Sequence, residues 1–380
     1  MSQTTTTAAY LDHAQTEELA RDLDALRAEV LASRGAGDAA YIRRVIAAQR
    51  ALEAAGRALL FAGVLPPAWL AGTAALSVAK ILENMEIGHN VLHGQWDWMR
   101  DPGIHSTTWE WDTASPADQW KHSHNYVHHT FTNVIGRDND VGYGIMRLSE
   151  DQPWHPAHLG QPLYNLLLSL LFEWGVALHD LDLAAISRGE KDRRTALTQL
   201  KGIGRKVRRQ ITKDYLVFPA LAGPFFAPVL AGNLTANLVR NVWSHAVIFC
   251  GHFPTGVAQF DESQLAGETR GEWYLRQLLG SANLTGGRLF DLMAGNLSYQ
   301  IEHHLFPDLP SNRYAEIAPR VQALCAAYGL PYVAGSLPRQ YANVLGRIAR
   351  LALPPLPRTG PARPQAAVAT GAARPASLAA

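Results

Sequence analysis

Two apolar hairpins constrain this chain more than any other feature of its sequence. The first runs from about Val45 to Leu65, turns at Pro66-Pro67 and continues from Ala68 toward Ile87. The second runs from about Tyr215 to Leu230, turns near Gly232-Asn233 and continues from Leu234 to about Phe253. Each arm approaches the roughly 20 residues that an α-helix needs to cross a bilayer core. Several arms carry interior polar residues, so a buried helical hairpin of a soluble protein is the alternative. A mean hydropathy of −0.09 is low for a membrane protein, whereas 47% hydrophobic residues and ten tryptophans suit one. The two agree if apolar spans are few and a large polar portion sits beside them.

Charge placement favours the membrane. Neither expected turn carries a charged residue. Arg43, Arg44 and Arg50 precede the first hairpin, and "KDRRTALTQLKGIGRKVRRQITK" (191 to 213) precedes the second. Cytoplasmic loops are enriched in Lys and Arg, so both hairpins are expected to enter from and return to the cytoplasm. Directly before an apolar span, a run this basic reads as an anchor on anionic lipid rather than an RNA-binding segment. A net charge of +1 gives no sign of a nucleic-acid partner. A third apolar stretch, "LYNLLLSLLFEWGVALHDLDL" (163 to 183), is interrupted by Glu173 and His179 and reads as an interfacial helix.

The ends read as accessories. Residues 1 to 14 are polar, without the basic and apolar regions of a signal peptide, and are expected to be disordered. Between 16 and 33, Leu19, Leu23, Leu26 and Val30 recur at helical spacing among charges, which predicts a surface amphipathic helix. Pro354 to Ala380 is Pro- and Ala-rich and reads as a flexible extension. The expected organisation is thus a tail and helix over 1–40, a main domain over 41–335, and a C-terminal segment over 336–380.

Cys250 and Cys325 are the two cysteines, so a disulfide framework or thiolate metal knuckle is not expected, and any metal must be held by nitrogen and oxygen. Histidines supply the nitrogen in three groups. His89 and His93 in "HNVLH" lie one helical turn apart after the second expected span, where that helix leaves the lipid. "KHSHNYVHH" contributes His124, His128 and His129, and "QIEHH" contributes His303 and His304 after Gln300. All three groups fall on the cytoplasmic side of the expected topology. One HxxxH is a weak signal; two HH pairs and an HxxxH on one side are strong. Neutral imidazole suits iron, zinc and copper. Seven histidines exceed what one tetrahedral zinc ion uses, which implies at least two metal ions.

"HNVLH", "HSHNYVHHTFTN" and "NLSYQIEHHLFP" resemble the three histidine boxes of the integral-membrane fatty acid desaturases, with the QxxHH third box of the acyl-lipid and linoleoyl-CoA-type branch. "TNVIGRDNDVGYGI" is similar to stearoyl-CoA desaturase-like proteins of actinobacteria, and the likeness spans roughly residues 40 to 335. The resemblance implies an all-α membrane protein: four transmembrane helices in two hairpins, with a cytoplasmic helical cap carrying a diiron site. Carried over, the metal ligands are His89, His93, His124, His128, His129, His303 and His304. Gln300, in place of a histidine, faces the metal directly or through water.

The family also places an Asn and a His on its fourth span, where this chain has Asn241, His245 and His252. The N-x3-H pattern points to His245. Depth points to His252, which lies where the helix reaches the cytoplasm and is the preferred extra ligand. The two stand roughly 10 Å apart along the helix. His122 reads as solvent-facing or as a contact of the ligands, with ligation as the alternative. His13, His105, His155, His158 and His179 read as loop or interfacial residues, and Asp138 and Asp140 as a solvated turn that could hydrogen-bond the box histidines. Trp96, Trp98, Trp109, Trp111 and Trp120 read as interfacial anchors, or as the lining of an acyl channel.

The implied activity is O2-dependent desaturation of a fatty acyl chain carried on CoA, lipid or acyl-carrier protein. Two iron ions would supply oxidising power that no side chain has. The chain shows neither a Gly-rich nucleotide loop nor an HPGG-type haem motif. Electrons are therefore expected from a ferredoxin or an NAD(P)H-linked reductase. The rivals are a membrane diiron hydroxylase of an alkyl or lipid substrate, and a non-catalytic metal-binding membrane protein such as a zinc transporter. The expected location is an integral membrane position with the active site and both termini cytoplasmic.

Overall fold

The computed structural model describes residues 4–355 apart from 183, 184, 187, 188 and 190. Beyond Pro355 the Pro- and Ala-rich extension lies outside the described residues. The fold is mostly helical. Helix α1 is His13–Ala32, α2 Ala36–Phe61 and α3 Pro66–Ile81. Helix α3 runs on through a π-helical segment, Leu82–His89, and a turn, Asn90–Leu92. Helix α4 is Ala117–Trp120, extended by a second π-helical segment, Lys121–His128, and by His129–Phe131. Helices α5 (Gln161–Leu170) and α6 (Phe172–Asp180) break at Leu171.

Helix α7 (Arg193–Gln210) continues through a third π-helical segment, Ile211–Val217, and Phe218–Leu221. Then come α8 (Phe226–His252), α9 (Arg270–Leu279), α10 (Gln300–Leu305), α11 (Tyr314–Ala327) and α12 (Leu337–Ala352). Two short parallel pairings close the cap: β1 (Thr4–Thr5) with β2 (Gln259–Phe260), and β3 (Asn283–Thr285) with β4 (Ala334–Ser336).

Both hairpins form, with shifted turns. The first turn precedes the prolines: Pro66 opens α3, where its missing N–H costs nothing and its fixed φ suits the helix. Gly56 and Gly72 let α2 and α3 touch backbone to backbone, since a Cβ on Gly56 would stand 2.8 Å from Leu76 N. The second turn is not at Gly232-Asn233. It falls between α7's extension and α8, where Gly223 takes a φ of 55° and Pro224 follows. Gly232 sits inside α8 because a Cβ there would meet Leu60 Cδ2 at 2.4 Å. Asn233 Nδ2 donates to the Asp214 carbonyl at 2.6 Å.

Among the described residues no helix is long and apolar enough to cross a membrane, which departs from the four-span expectation. The reason is visible in α8. Asn233, Asn237, Arg240, Asn241 and His245 interrupt its hydropathy, and all five are buried against the rest of the protein. Arg240 pairs with Glu173 of α6, and Asp214 binds both Arg57 (3.0 Å) and Lys80 (2.8 Å). These buried charges hold the hairpins to each other and to the cap, where partner loss is costly.

The N-terminal end is not an accessory. Helix α1 starts in a reciprocal cap between Asp12 and Gln15. It buries Leu19, Leu23, Leu26 and Val30 in one core with α9 and with Ile301 and Leu305 of α10. Thr4–Thr5 pairs in β1, against the expected disorder. Helix α12 buries Val344 and Ile348 in the core that contains Val247 and Phe249 of α8.

Candidate metal centre

The histidine boxes occupy backbone that departs from regular α-helix. His89 closes the first π-helical segment and His93 N bonds to its carbonyl at 3.1 Å; His124 and His128 belong to the second. A π segment inserts one residue into the turn and re-aims the side chains after it, a device common at functional sites. Helix α10 presents His303 and His304 and is buried over its whole length. His252 ends α8, and Gly251 before it leaves room for Gln300, whose Cγ a Cβ would meet at 2.8 Å.

Eight histidines converge. Ring nitrogens of His89, His93, His124 and His303 lie within 4.8 Å of one another, as do those of His128, His252 and His304. His124, His128 and Asp140 form a third such group that overlaps both. His129 stands between the two sets: its ring is 4.7 Å from His93, 4.9 Å from His303 and stacked 4.4 Å from His304.

The donor chemistry fits metal. Buried nitrogens without a hydrogen-bond partner include His93 Nε2, His128 Nε2, both nitrogens of His129, His252 Nδ1, His303 Nε2 and His304 Nε2. On four of these rings the opposite nitrogen is taken: His128 Nδ1 lies 3.1 Å from Asp138, His252 Nε2 2.9 Å from Gln300 Nε2, His303 Nδ1 3.2 Å from Tyr314 Oη and His304 Nδ1 3.1 Å from Gln277 Oε1. One nitrogen oriented by the protein and one left free is the pattern of metal-binding histidines. Burial, followed by neighbouring imidazoles, holds His93, His129, His303 and His304 well below the usual histidine range, in the neutral form that ligates. Burial also works against charge on His128, but Asp138 and Asp140 outweigh it and push its pKa up to about 9.

The structure separates the uncertain candidates. His252 joins the cluster. His245 lies outside every group, with Nε2 3.1 Å from Asn165 Oδ1 and its ring stacked on Phe249 at 4.0 Å. Asn241 donates to the Leu170 carbonyl and accepts from Arg240 Nε, so it braces α8 against α5. Gln300 Nε2 is 2.9 Å from His252 Nε2, and its Oε1 is buried without a partner. His122 is exposed and stacks on Tyr126, away from the cluster.

Sequence reasoning gave too little weight to Asp138 and Asp140 and missed His179. Asp138 is buried, grips His128 and accepts from Asn133 N at 2.7 Å. Asp140 lies 3.5 Å from His128 Nδ1 and 2.9 Å from His179 Nε2. The signal for His179 was its place inside an otherwise apolar run.

A partly open cavity lies beside the cluster. His89, His124, His252 and Gln300 line it together with Met85, Trp111, Trp120, Phe172, Val176 and Leu297. Trp111 and Trp120 therefore line a channel rather than anchor an interface. Its exposed wall is mainly apolar, which suits a hydrocarbon substrate, while Asp140, Glu173, His179 and Asp180 also border it.

Clustered imidazole donors beside a cavity with an apolar wall define a candidate metal site next to space for an apolar ligand. The sequence profile described as Fatty acid desaturase matches residues 64–336, and the chain belongs to that family. It is 52% identical over 350 residues to the NADPH-dependent stearoyl-CoA 9-desaturase of Mycobacterium tuberculosis, covering 91% of this chain and 82% of that one. It is 26% identical over 288 residues to the sn-1 linoleoyl-lipid 6-desaturase of Synechocystis sp., covering 72% and 77%. A Delta(5) fatty acid desaturase of Caenorhabditis elegans is 28% identical over 230 residues, covering 56% and 48%. The chain is thus a fatty acid desaturase, an oxidoreductase of lipid metabolism.

Proposed function

We propose that the chain is an O2-dependent, membrane-integral acyl-CoA desaturase whose histidine cluster holds two iron ions. The observation that carries this reading is the set of buried, unpartnered ring nitrogens converging beside one apolar cavity. His89, His93, His124 and His303 would hold one ion, and His128, His252 and His304 the other. His129 stands within reach of both, and Gln300 beside His252. Bound iron supplies the oxidation of an unactivated methylene, for which no side chain is strong enough.

The protein's own residues do the rest. Asp138, Tyr314 and Gln277 keep three imidazoles in one tautomer and orientation. Met85, Trp111, Trp120 and Leu297 exclude water and hold the chain extended. One double bond requires O2, two electrons and two protons, and it releases two waters. The relative's name supports CoA as carrier, carbon 9 as the position, and an NADPH-linked reductase as donor; a ferredoxin remains the other donor class.

Surface chemistry supports the membrane reading; a site and termini on the cytoplasmic side complete the proposal. Leu59, Phe61, Val64, Leu65 and Leu70 are exposed on the first hairpin, and Leu216, Leu221, Phe225, Phe226 and Leu234 on the second. Contiguous apolar exposure of this kind calls for lipid or a partner. Helix α7 adds exposed Arg194, Lys201, Arg205, Arg208 and Arg209 beside exposed Leu197 and Leu200, a pattern suited to anionic headgroups.

The test is the fatty-acid profile, by mass spectrometry, of a host expressing the chain or its His303→Ala/His304→Ala variant. A new double bond that the variant abolishes supports the reading. A hydroxylated chain would replace it with the hydroxylase.

A further inference from the structure

The loop after the second histidine box carries three consecutive residues in the left-handed region: Gly142 (φ 71°), Tyr143 (φ 51°) and Gly144 (φ 69°). Glycine takes this conformation freely, but a bulky side chain meets a steric penalty there. Such a penalty persists only where the surroundings enforce it, and these sites cluster around bound ligands. Here the surroundings are specific. The Tyr143 ring lies parallel to Phe249, with centroids 5.5 Å apart and 9° between planes. It meets Phe172 edge-on at 5.8 Å and tilts against His179 at 4.9 Å. Phe249 precedes His252 by less than one helical turn.

Tyr143 also lines the cavity shared by His89, His124 and His252. Its loop is tied to the cluster from the other side, because Asp138, five residues earlier, grips His128 at 3.1 Å. The ring is therefore set in fixed register with the histidines by α6, by α8 and by its own loop. A core aromatic needs no such register. A saturated acyl chain does, because its methylenes are chemically alike and only position distinguishes them. Shape matched to one methylene in an apolar site discriminates by roughly 10- to 200-fold.

The geometry points to Tyr143 as a specificity-determining residue: its ring touches the acyl chain beside the histidine cluster and selects which pair of carbons is dehydrogenated. The inference rests on that cluster being the reaction centre, so the His303→Ala/His304→Ala variant is run alongside. Loss of all product there secures the centre independently of Tyr143; full product there overturns both readings.

The experiment expresses full-length Tyr143→Phe, Tyr143→Leu and Tyr143→Gly in a host that supplies an electron donor. It measures double-bond position in cellular lipids and iron per purified chain. Tyr143→Phe keeps the aromatic wall and should keep the wild-type isomer ratio. Tyr143→Gly relieves the backbone penalty while removing the ring, and Tyr143→Leu shortens the wall. Both should retain iron while neighbouring positional isomers rise roughly tenfold or more relative to wild type. A wild-type isomer ratio in both variants would overturn the proposal. So would loss of iron in both, which makes the ring structural, or loss of product with iron intact, which assigns it to turnover.

Discussion

Replacing Asp138 by Asn tests the metal centre with the smallest steric change. Asp138 is 4% exposed, and its carboxylate serves three partners with two oxygens. Both oxygens lie 3.1 Å from His128 Nδ1, while Oδ2 accepts from Asn133 N at 2.7 Å and Oδ1 from Asp140 N at 3.0 Å. The two backbone amides take opposite oxygens. An Asn amide has one oxygen, so its NH2 must face one of those N–H groups whichever way it flips. One buried donor then loses its partner, at about 1–3 kcal/mol of stability. Separately, His128 loses the carboxylate that orients it and raises its basicity, which weakens metal binding by about 10- to 100-fold. The assay is iron per chain after equilibration with graded chelator, beside thermal unfolding of the same samples. The expected result is half-loss of iron at about 10- to 100-fold weaker chelation. Wild-type iron retention at every chelator concentration, with only a lower Tm, would refute the claim that Asp138 acts on a ligand.

Other perturbations follow from the same geometry. His252→Ala should lose iron whereas His245→Ala should keep it, and equal iron in the two variants would contradict the placement of His252 in the cluster. Arg240→Ala leaves Glu173 buried with Gln210 as its remaining polar contact, and should cost about 3–5 kcal/mol, read as a lowered Tm with unchanged iron per folded chain. Gly56→Val forces α2 from α3 and should cost about 1–3 kcal/mol or more, measured by thermal unfolding in the purified protein.

Burial pushes the Asp180 carboxyl up to about 6, against hydrogen bonds from Ser115 and Ser123. The folded state therefore holds its proton longer than the unfolded state does. The contribution of Asp180 to stability should therefore fall as pH rises from about 4 to about 6, by on the order of 2–3 kcal/mol, and stay level above. Asp180→Asn should remove that contribution, read as the difference in stability between wild type and variant across pH 4 to 6, and a difference that does not change with pH would locate the titration elsewhere.

The histidines were legible because their spacing is local. HxxxH and HH pairs declare themselves within a few residues, and a face of a helix follows from 3.6-residue periodicity. The apolar face of α1 was legible for the same reason. What the pattern misled on was everything decided by contact with distant chain. Gly232-Asn233 looks like a turn in isolation, yet packing against Leu60 and a bond to Asp214 keep it inside α8. The polar residues of α8 depress hydropathy along the helix, while the structure shows them turned inward against Glu173, Asp214 and Asn165. Asp138 and Asp140 look like a solvated turn because nothing in their neighbourhood of the chain says that His128 and His179 lie beside them.

By itself, then, the sequence determined the chemistry on offer: imidazole donors without thiolates, grouped in three boxes, and apolar hairpins to position them. It also determined the family to which that combination belongs. Tertiary structure alone decided which of the two α8 histidines joins the cluster and which carboxylate orients which ring. It decided, too, that Tyr143 is held strained at the cavity wall. Those choices depend on distances between residues far apart in the chain. They are set by where π-helical segments re-aim side chains and by where glycines let helices touch, and neither leaves a periodic trace in the sequence.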